Sequence, residues 1–401
     1  MSIAAKVIVA DGTPPDAPAV NTVSDRNLQI YGTAEPGSSI SVRIGASEIG
    51  KGAAGENGFF AVEIPAHQNA GTELVIIALD TAGNASSPKK VKVIKGNTQL
   101  SKLVGKTRYT TAVEITKKGW SASDTVFLVN GWAIADGLTA TPLASAKNAP
   151  ILLAATNSLT EEIMAEIKRL KAKNIVLIGG SGVISDQVKN SLSSQGYSVS
   201  RIGGKTRYET SLKIAQEVDK LVDVHTVYMA YGHAEPDALS IAAQSGQTKQ
   251  PIILTEKKAV PANTYQWLKG EGLQTSYFIG GKGVIYPAII TEMNSITAKS
   301  VVNNRLSGVN RQETNAKVIQ AFYKQDEMPT IMVAHASTTK LVDALAAGPL
   351  AAKYNVPVLL VSNKLDSSQV NVIKGKHAND VHQIGGGIGD SVLKQVVDLM
   401  N

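Results

Sequence analysis

The chain has 401 residues, 43% of them hydrophobic and 18% charged, with a net charge of +7 and no cysteine. That length exceeds one ordinary core and implies two to four domains of soluble globular material. The missing cysteine excludes disulfides, thiolate chemistry and Cys-type zinc sites, and no apolar run approaches the ~18 residues of a membrane span.

The opening MSIAAKVIVADG has one early Lys but neither a long apolar core nor a cleavage pattern, so it does not read as a secretory signal. Either the protein is cytoplasmic or the chain is a mature piece. Residues 1–98 hold eight Lys+Arg against nine Asp+Glu, which leaves +8 on the remainder. A basic remainder favours anionic partners.

Short alternating runs at Leu28–Ala34, Ser39–Ile44, Phe59–Ile64, Glu73–Asp80 and Lys90–Lys95, with Gly, Pro and Asn turns between them, predict a small all-β sandwich over 1–98. GTAEPGSSISVRI, ENGFFAVEI and LVIIALDTAGNASSP resemble bacterial immunoglobulin-like repeats of surface proteins. The resemblance implies a spacer or adhesive stalk that could meet other surface proteins; it fixes a fold better than an activity. Asp80 and Asn84 suit a solvated turn, with a calcium ligand role as the alternative.

KGNTQLSK at 95–102 is a polar connection, and after it one unit recurs three times. LVGKTRYTTAVEIT at 103 returns as RIGGKTRYETSLKI at 201 and RLSGVNRQETNAKV at 305. An Arg falls at 108, 207 and 311, an Asp at 136, 237 and 343, a Pro at 150, 251 and 357, and a Gly pair at 179, 280 and 385. The Asp-to-Pro interval is 14 in every copy, and Pro to first Gly is 29, 29 and 28, so the copies occupy 99–199, 200–303 and 304–401.

In the first copy, TRYTTAVEITKKG, DGLTATPLASAK, LTEEIMAEIKRLKA and SDQVKNSLSSQ read as helices. TVFLVN, PILLA, NIVLIGG and YSVSRI read as strands between them. Apolar runs of four to six residues between amphipathic helices mean parallel strands buried on both faces. The predicted fold is thus multidomain: an immunoglobulin-like sandwich, then three α/β, Rossmann-like parallel-sheet repeats packed about a pseudo-threefold axis or set in a row.

GKTRYTTA, ADGLTATPLA, NAPILLA and IVLIGGSGVIS, with their counterparts at 204–286 and 308–390, resemble the type 2 cell-wall-binding repeat of Gram-positive bacteria. The resemblance spans 99–401 and implies a secreted, S-layer-associated surface protein anchored noncovalently to an anionic secondary wall polymer. Such a polymer would be teichoic-acid-like or a phosphorylated polysaccharide. It further implies a polymer-attachment role for Pro150, Ile151, Leu152 and Leu153, for Pro251, Ile252, Ile253 and Leu254, and for Pro357, Val358, Leu359 and Leu360. The third copy departs most, with PVLL for PILL and Gln312 where Tyr109 and Tyr208 stand. No cofactor, nucleic acid or membrane partner is expected.

Thr107, Thr206 and Asn310 are good N-caps, with Glu209 and Glu313 as capping-box partners. The cation that follows each cap then sits at the positive end of a helix dipole, where it is disfavoured by some tenths of a kcal/mol. An anion is therefore expected beside Arg108, Arg207 and Arg311. Either it is an internal carboxylate, with Asp136, Asp237 and Asp343 as candidates and Asp136 foremost for Arg108, or it belongs to a ligand gripped by the guanidinium. The same Asp residues also read as helix caps or as ligand contacts. The PILL-type runs read as core strands whose carboxyl ends, followed by Thr255 and Ser362 in two copies, could carry a groove. The loops at Gly179, Gly280 and Gly385 read as tight turns or anion nests.

Enzymatic readings find little. His67, His225, His233, His335, His377 and His382 form no paired zinc pattern, GGSGV fails the nucleophile-elbow pattern at its last Gly, and no P-loop is present. GGGIGD at 385 lacks the third Gly of a dinucleotide fingerprint, and Glu161 and Glu162 lie on a solvated face. A binding module with three similar sites is favoured, and no catalytic domain is expected within the chain. A Rossmann-like enzyme or small-molecule receptor with one active copy is the alternative, but the polar landmarks are shared among all copies.

Overall fold

The computed structural model describes residues 11–401, so the leader reading of MSIAAKVIVADG falls almost entirely outside the described residues. The chain divides into two compact units, Met1–Asn97 and Thr98–Asn401.

In the first unit, strands β1 (Ala19–Val20), β2 (Gln29–Thr33), β3 (Ser39–Ile44), β4 (Ser47–Ala53), β5 (Phe59–Glu63), β6 (Glu73–Leu79) and β7 (Lys89–Lys92) are all antiparallel where they pair. They form two sheets, ordered β1-β2-β5 and β4-β3-β6-β7. Alternation points Ile30, Phe60 and Val62 from one sheet, and Ile40, Val42, Leu74 and Ile76 from the other, into a shared core. Strand β4 was not predicted, because SEIGKGA reads as a turn. Its glycines are there for close packing: a Cβ on Gly50 would lie 2.6 Å from the Glu63 carbonyl oxygen. At the Asp80 turn the Asn84 backbone N–H and side-chain amide donate to the two Asp80 carboxylate oxygens at 2.8 and 2.7 Å, an Asx-stabilised turn.

The second unit opens with β8 (Gln99–Leu103). The first copy continues with α1 (Arg108–Gly119), β9 (Thr125–Asn130), a 3-10 helix (Ile134–Thr139), α2 (Thr141–Ala146) and β10 (Ile151–Ala154), then α3 (Glu161–Arg169), β11 (Asn174–Ile178), α4 (Asp186–Ser194) and β12 (Ser198–Ile202). The second copy has α5 (Arg207–Asp219), β13 (Thr226–Tyr231), α6 (Glu235–Ser240), α7 (Ala242–Thr248) and β14 (Ile252–Thr255), then α8 (Ala262–Gly270), β15 (Thr275–Ile279), α9 (Pro287–Asn294) and β16 (Arg305–Leu306). The third has α10 (Arg311–Phe322), β17 (Glu327–His335), α11 (Leu341–Tyr354) and β18 (Val358–Val361), then α12 (Ser367–Ile373), β19 (His377–Ile384) and α13 (Asp390–Met400). The segment 136–147, predicted as one helix, is broken at Ala140. The second copy breaks in the same place, at Ile241, whereas the third runs through as α11 with Pro349 at the position of Pro142, so the break does not follow the proline.

The three sheets are parallel and four-stranded, ordered β10-β9-β11-β12, β14-β13-β15-β16 and β18-β17-β19-β8. The last order is informative. Strand β8, at the start of the unit, pairs with β19 near its end, from Gln99 opposite Asp380 to Leu103 opposite Ile384. Each Arg-bearing helix is therefore preceded by a strand that completes the previous copy's sheet, and sheet membership is offset by one strand from the sequence repeat. The helices follow the same rule: α5 packs on α2 and the 3-10 helix, α10 on α6, and α1 on α11. Helices α2, α7 and α11 touch pairwise where small residues let backbones approach. A Cβ on Gly246 would come within 2.6 Å of Ser145 Oγ and 2.7 Å of the Ala352 Cβ.

Candidate functional site

Thr107, Thr206 and Asn310 are the N-caps of α1, α5 and α10, and each accepts a hydrogen bond from the backbone N–H three residues on. Glu209 and Glu313 reach back one residue further than a capping box, accepting from the Lys205 and Val309 N–H at 2.8 Å. Arg108, Arg207 and Arg311 are thus held at the first helical position. Each turns its guanidinium across the carboxyl end of its own copy's central strand. There Nη1 donates to the carbonyl oxygen of Gly131, of Gly232 at 2.7 Å and of Ala336 at 2.8 Å, so the dipole-opposed cation is compensated by a strand-end carbonyl.

The carboxylate each Arg faces is not the one in its own copy. Asp136 feels the charge of Arg207 and the hydroxyl of Thr210, Asp237 feels Arg311 and Thr314, and Asp343 feels Arg108 and then Lys340. The expected Arg108–Asp136 partnership is corrected accordingly, and strand exchange is the reason: it seats each Arg helix on the preceding copy. Burial dominates these carboxyls. It pushes Asp237 and Asp343 up to about 6 and raises Asp136, and the facing arginines offset only part of that. Nor do the Asp side chains cap their helices. The N-cap positions belong to Ala133, Ala234 and Lys340, and the Asp stands three residues later with its carboxylate turned toward the Gly pair.

At that turn the two sequence readings merge. A Cβ on Gly179 or Gly280 would lie 2.9 Å from the Asp136 or Asp237 carboxylate oxygen, and one on Gly385 would overlap that of Asp343. All three glycines have positive φ, 105°, 128° and 71°. Their N–H groups are taken by the carbonyls of Ile202, Leu306 and Leu103. The glycines are therefore needed because the Asp carboxylate fills the space a side chain would take, and their amides are not left open to an anion.

The PILL-type runs are core. The side chains of Ile151, Leu152 and Leu153, of Ile252, Ile253 and Leu254, and of Val358, Leu359 and Leu360 are enclosed, and Pro150, Pro251 and Pro357 are buried. Direct side-chain attachment is thereby corrected: these are edge strands covered by the Arg helices. The Ser211 hydroxyl donates to the Ile252 carbonyl at 3.2 Å and accepts from the Leu254 N–H at 2.9 Å. Asn315 does the same for Val358 and Leu360 at 2.9 and 3.0 Å, which satisfies an otherwise open sheet edge from within.

What reaches solvent is the rim at the strands' carboxyl ends, and here the copies differ. In the second copy Arg207, Tyr208, Tyr231 and Lys257 gather, with Lys257 Nζ 5.6 Å from the Tyr231 ring and Glu235 4.0 Å from Arg207. In the third, Gln312 donates to Ser362 Oγ, and His335 Nδ1 accepts from the Ser337 N–H at 3.0 Å. In the first, Arg108 underlies Trp132, a residue no repeat pattern singles out. Thr255, noted for its place after the Pro251–Leu254 run, is the last residue of β14 and fully buried. The described residues contain no group of three or more His, Cys, Asp or Glu able to hold a metal, and no helix long and apolar enough to cross a membrane.

Comparison with known proteins agrees with this architecture. A bacterial Ig domain family matches residues 14–95, and cell wall binding domain 2 matches 102–189, 201–290 and 305–392. The chain is 31% identical to Cwp6 from Clostridium difficile, with a TM-score of 0.80 over 97% of this chain and 68% of that one. Against Cwp8 from Clostridium difficile the identity is 32%, with a TM-score of 0.69 over 82% of this chain and 59% of that one. It is also 28% identical over 282 residues to the N-acetylmuramoyl-L-alanine amidase LytC of Bacillus subtilis, covering 70% of this chain and 54% of that protein. Similarity to the amidase enhancer of Bacillus subtilis is 34% over 263 residues, or 65% of this chain and 34% of that protein. The chain thus spans about half of the amidase and a third of the enhancer.

Proposed function

We propose, for a chain that belongs to the cell wall binding domain 2 family, that its three repeats grip an anionic secondary polymer of the wall and so hold a surface protein in place. A cell-wall or surface-associated secreted protein is what the family and its structural neighbours indicate. The polymer's class, teichoic-acid-like or phosphorylated polysaccharide, is the finer reading. One observation carries it: every copy sets a guanidinium at the carboxyl rim of a parallel sheet with a single N–H committed to a strand-end carbonyl. The other donors of that fork suit phosphate or carboxylate oxygens. The buried carboxyls raised toward 6 set a weakened internal competitor behind two of these cations, Arg108 and Arg311.

In this reading 99–199, 200–303 and 304–401 act as three weak sites arranged about a pseudo-threefold axis, and tethering multiplies their affinity through effective concentration. The PILL-type strands contribute by carrying the rim. The immunoglobulin-like unit serves as a spacer open to other surface proteins. Catalysis is assigned to no residue of this chain, since the polar landmarks are shared among copies and the histidines fall at unrelated positions.

Sedimentation with purified Gram-positive walls, before and after the secondary polymers are stripped, tests the proposal. Pelleting that disappears on stripping is expected; equal pelleting in both cases would overturn it.

A further inference from the structure

The loop after β9 holds the most exposed aromatic ring in the second unit. Trp132 is 73% exposed, whereas Trp120 in the same copy is 4% exposed. Leaving an indole in water forgoes roughly 2 kcal/mol of burial, so its place calls for a reason. The ring is also fixed. The Arg108 guanidinium carbon lies 3.4 Å from its centroid, and Arg108 is itself tied to the Gly131 carbonyl. Asn130 clamps the loop from below: its Oδ1 accepts from the Trp132 and Ala133 N–H groups at 2.8 and 2.9 Å, and its Nδ2 donates to Thr156 Oγ1 and the Val183 carbonyl. Gly131 keeps the space clear, since a Cβ there would meet Arg108 Cδ at 3.0 Å and the Tyr109 ring at 3.3 Å.

A rigid indole with one face on a cation and the other open is a platform for a flat, weakly apolar partner with an anionic substituent. A pyranose fits: its axial C–H face stacks on the open face of the indole, and a phosphate or carboxylate projecting past the indole edge reaches the remaining N–H donors of Arg108 on the far side. The equivalent position is His233 in the second copy and Ser337 in the third, as the shared Arg-to-carbonyl bonds at Gly131, Gly232 and Ala336 establish. We infer that Trp132 and Arg108 form a subsite for an anionic pyranose, present in the first copy alone, so that the three copies read different units of one polymer.

This rests on the wall-polymer reading and is tested apart from it. The full chain is titrated with N-acetylglucosamine 1-phosphate, with glycerol 3-phosphate, which lacks the ring, and with N-acetylglucosamine, which lacks the charge. Tryptophan fluorescence is the readout, and Trp132→Ala and Trp132→Phe are run in parallel with wild type. The expected result is saturable quenching at millimolar N-acetylglucosamine 1-phosphate, about tenfold weaker binding of either partial probe, loss in Trp132→Ala and partial retention, by calorimetry, in Trp132→Phe. Equal binding of glycerol 3-phosphate, or calorimetric binding undiminished in Trp132→Ala, overturns the subsite. So does absence of binding by wild type. Wall pelleting of the same proteins separates the two ideas: polymer-dependent pelleting by wild type with silent fluorescence sinks the subsite and leaves the anchor standing.

Discussion

Replacing Asp237 by Asn removes a buried charge while keeping its shape, and the structure fixes the sign and size of the effect. Burial lifts this carboxyl from 3.8 to about 6 even with Arg311 and Thr314 beside it. A folded-state value above the unfolded one contributes stability that is fully present below about pH 4 and lost as pH rises through about 6. A shift near 2 units corresponds to about 3 kcal/mol, with the attraction of Arg311 already contained in it. Asp237→Asn mimics the protonated form, so it should match wild type at pH 4 and be more stable by up to about 3 kcal/mol at pH 7.5. All three tryptophans, at 120, 132 and 267, lie in the second unit, so urea unfolding followed by intrinsic fluorescence reports on it selectively. A wild-type-minus-variant difference independent of pH, or a variant less stable at pH 7.5, would refute the claim that desolvation outweighs the facing arginine.

Lys353 presents the converse case: burial lowers it to about 8, with Nζ on the Gly119 carbonyl at 3.1 Å and over the Trp120 ring at 5.2 Å. A depressed amine costs stability below its folded value and gives it back between about 8 and 10.5, so Lys353→Met should stabilise by about 1–3 kcal/mol at pH 7 and by less at pH 10 in the same unfolding assay. Asn315→Ala leaves two groups on the open edge of β18 without their hydrogen bonds and should cost about 2–5 kcal/mol in chemical denaturation; the second copy's Ser211→Ala should cost less, about 1–3. Single Arg207→Gln or Arg311→Gln changes should weaken wall pelleting about three- to tenfold, and the triple change with Arg108→Gln should lower it at least a hundredfold with the circular dichroism spectrum retained. A folded triple variant that pellets normally would assign these residues to architecture alone.

Local chemistry was the legible part of this chain. Thr107 and Thr206 are caps in sequence and in structure because capping involves three adjacent residues, and TVFLVN is β9 without a residue's error for the same local reason. The partner of Arg108 was not legible. Periodicity gives no sign that β8 leaves its own copy to pair with β19, and that exchange decides which Asp meets which Arg. PILLA carried a second ambiguity: a core strand and a ligand-bearing strand have the same apolar pattern, and only the burial of Ile151–Ala154 separates them. Strand β4 was hidden because Gly50 and Gly52 signal turns when no tertiary neighbour is known. Trp132 escaped for the opposite reason. Aligning the copies brings forward what recurs, and a residue that distinguishes one copy drops out; a lone Trp in a polar loop after a strand was the only available signal.

We propose that an anionic wall polymer, not the peptidoglycan beneath it, is what the repeats hold. Release of wall-bound chain by the free, purified polymer measures this most directly. Soluble polymer should displace the chain in a saturable way at physiological salt, while polymer-free peptidoglycan fragments at equal mass should not. Displacement by the fragments, with none by the polymer, would contradict the account.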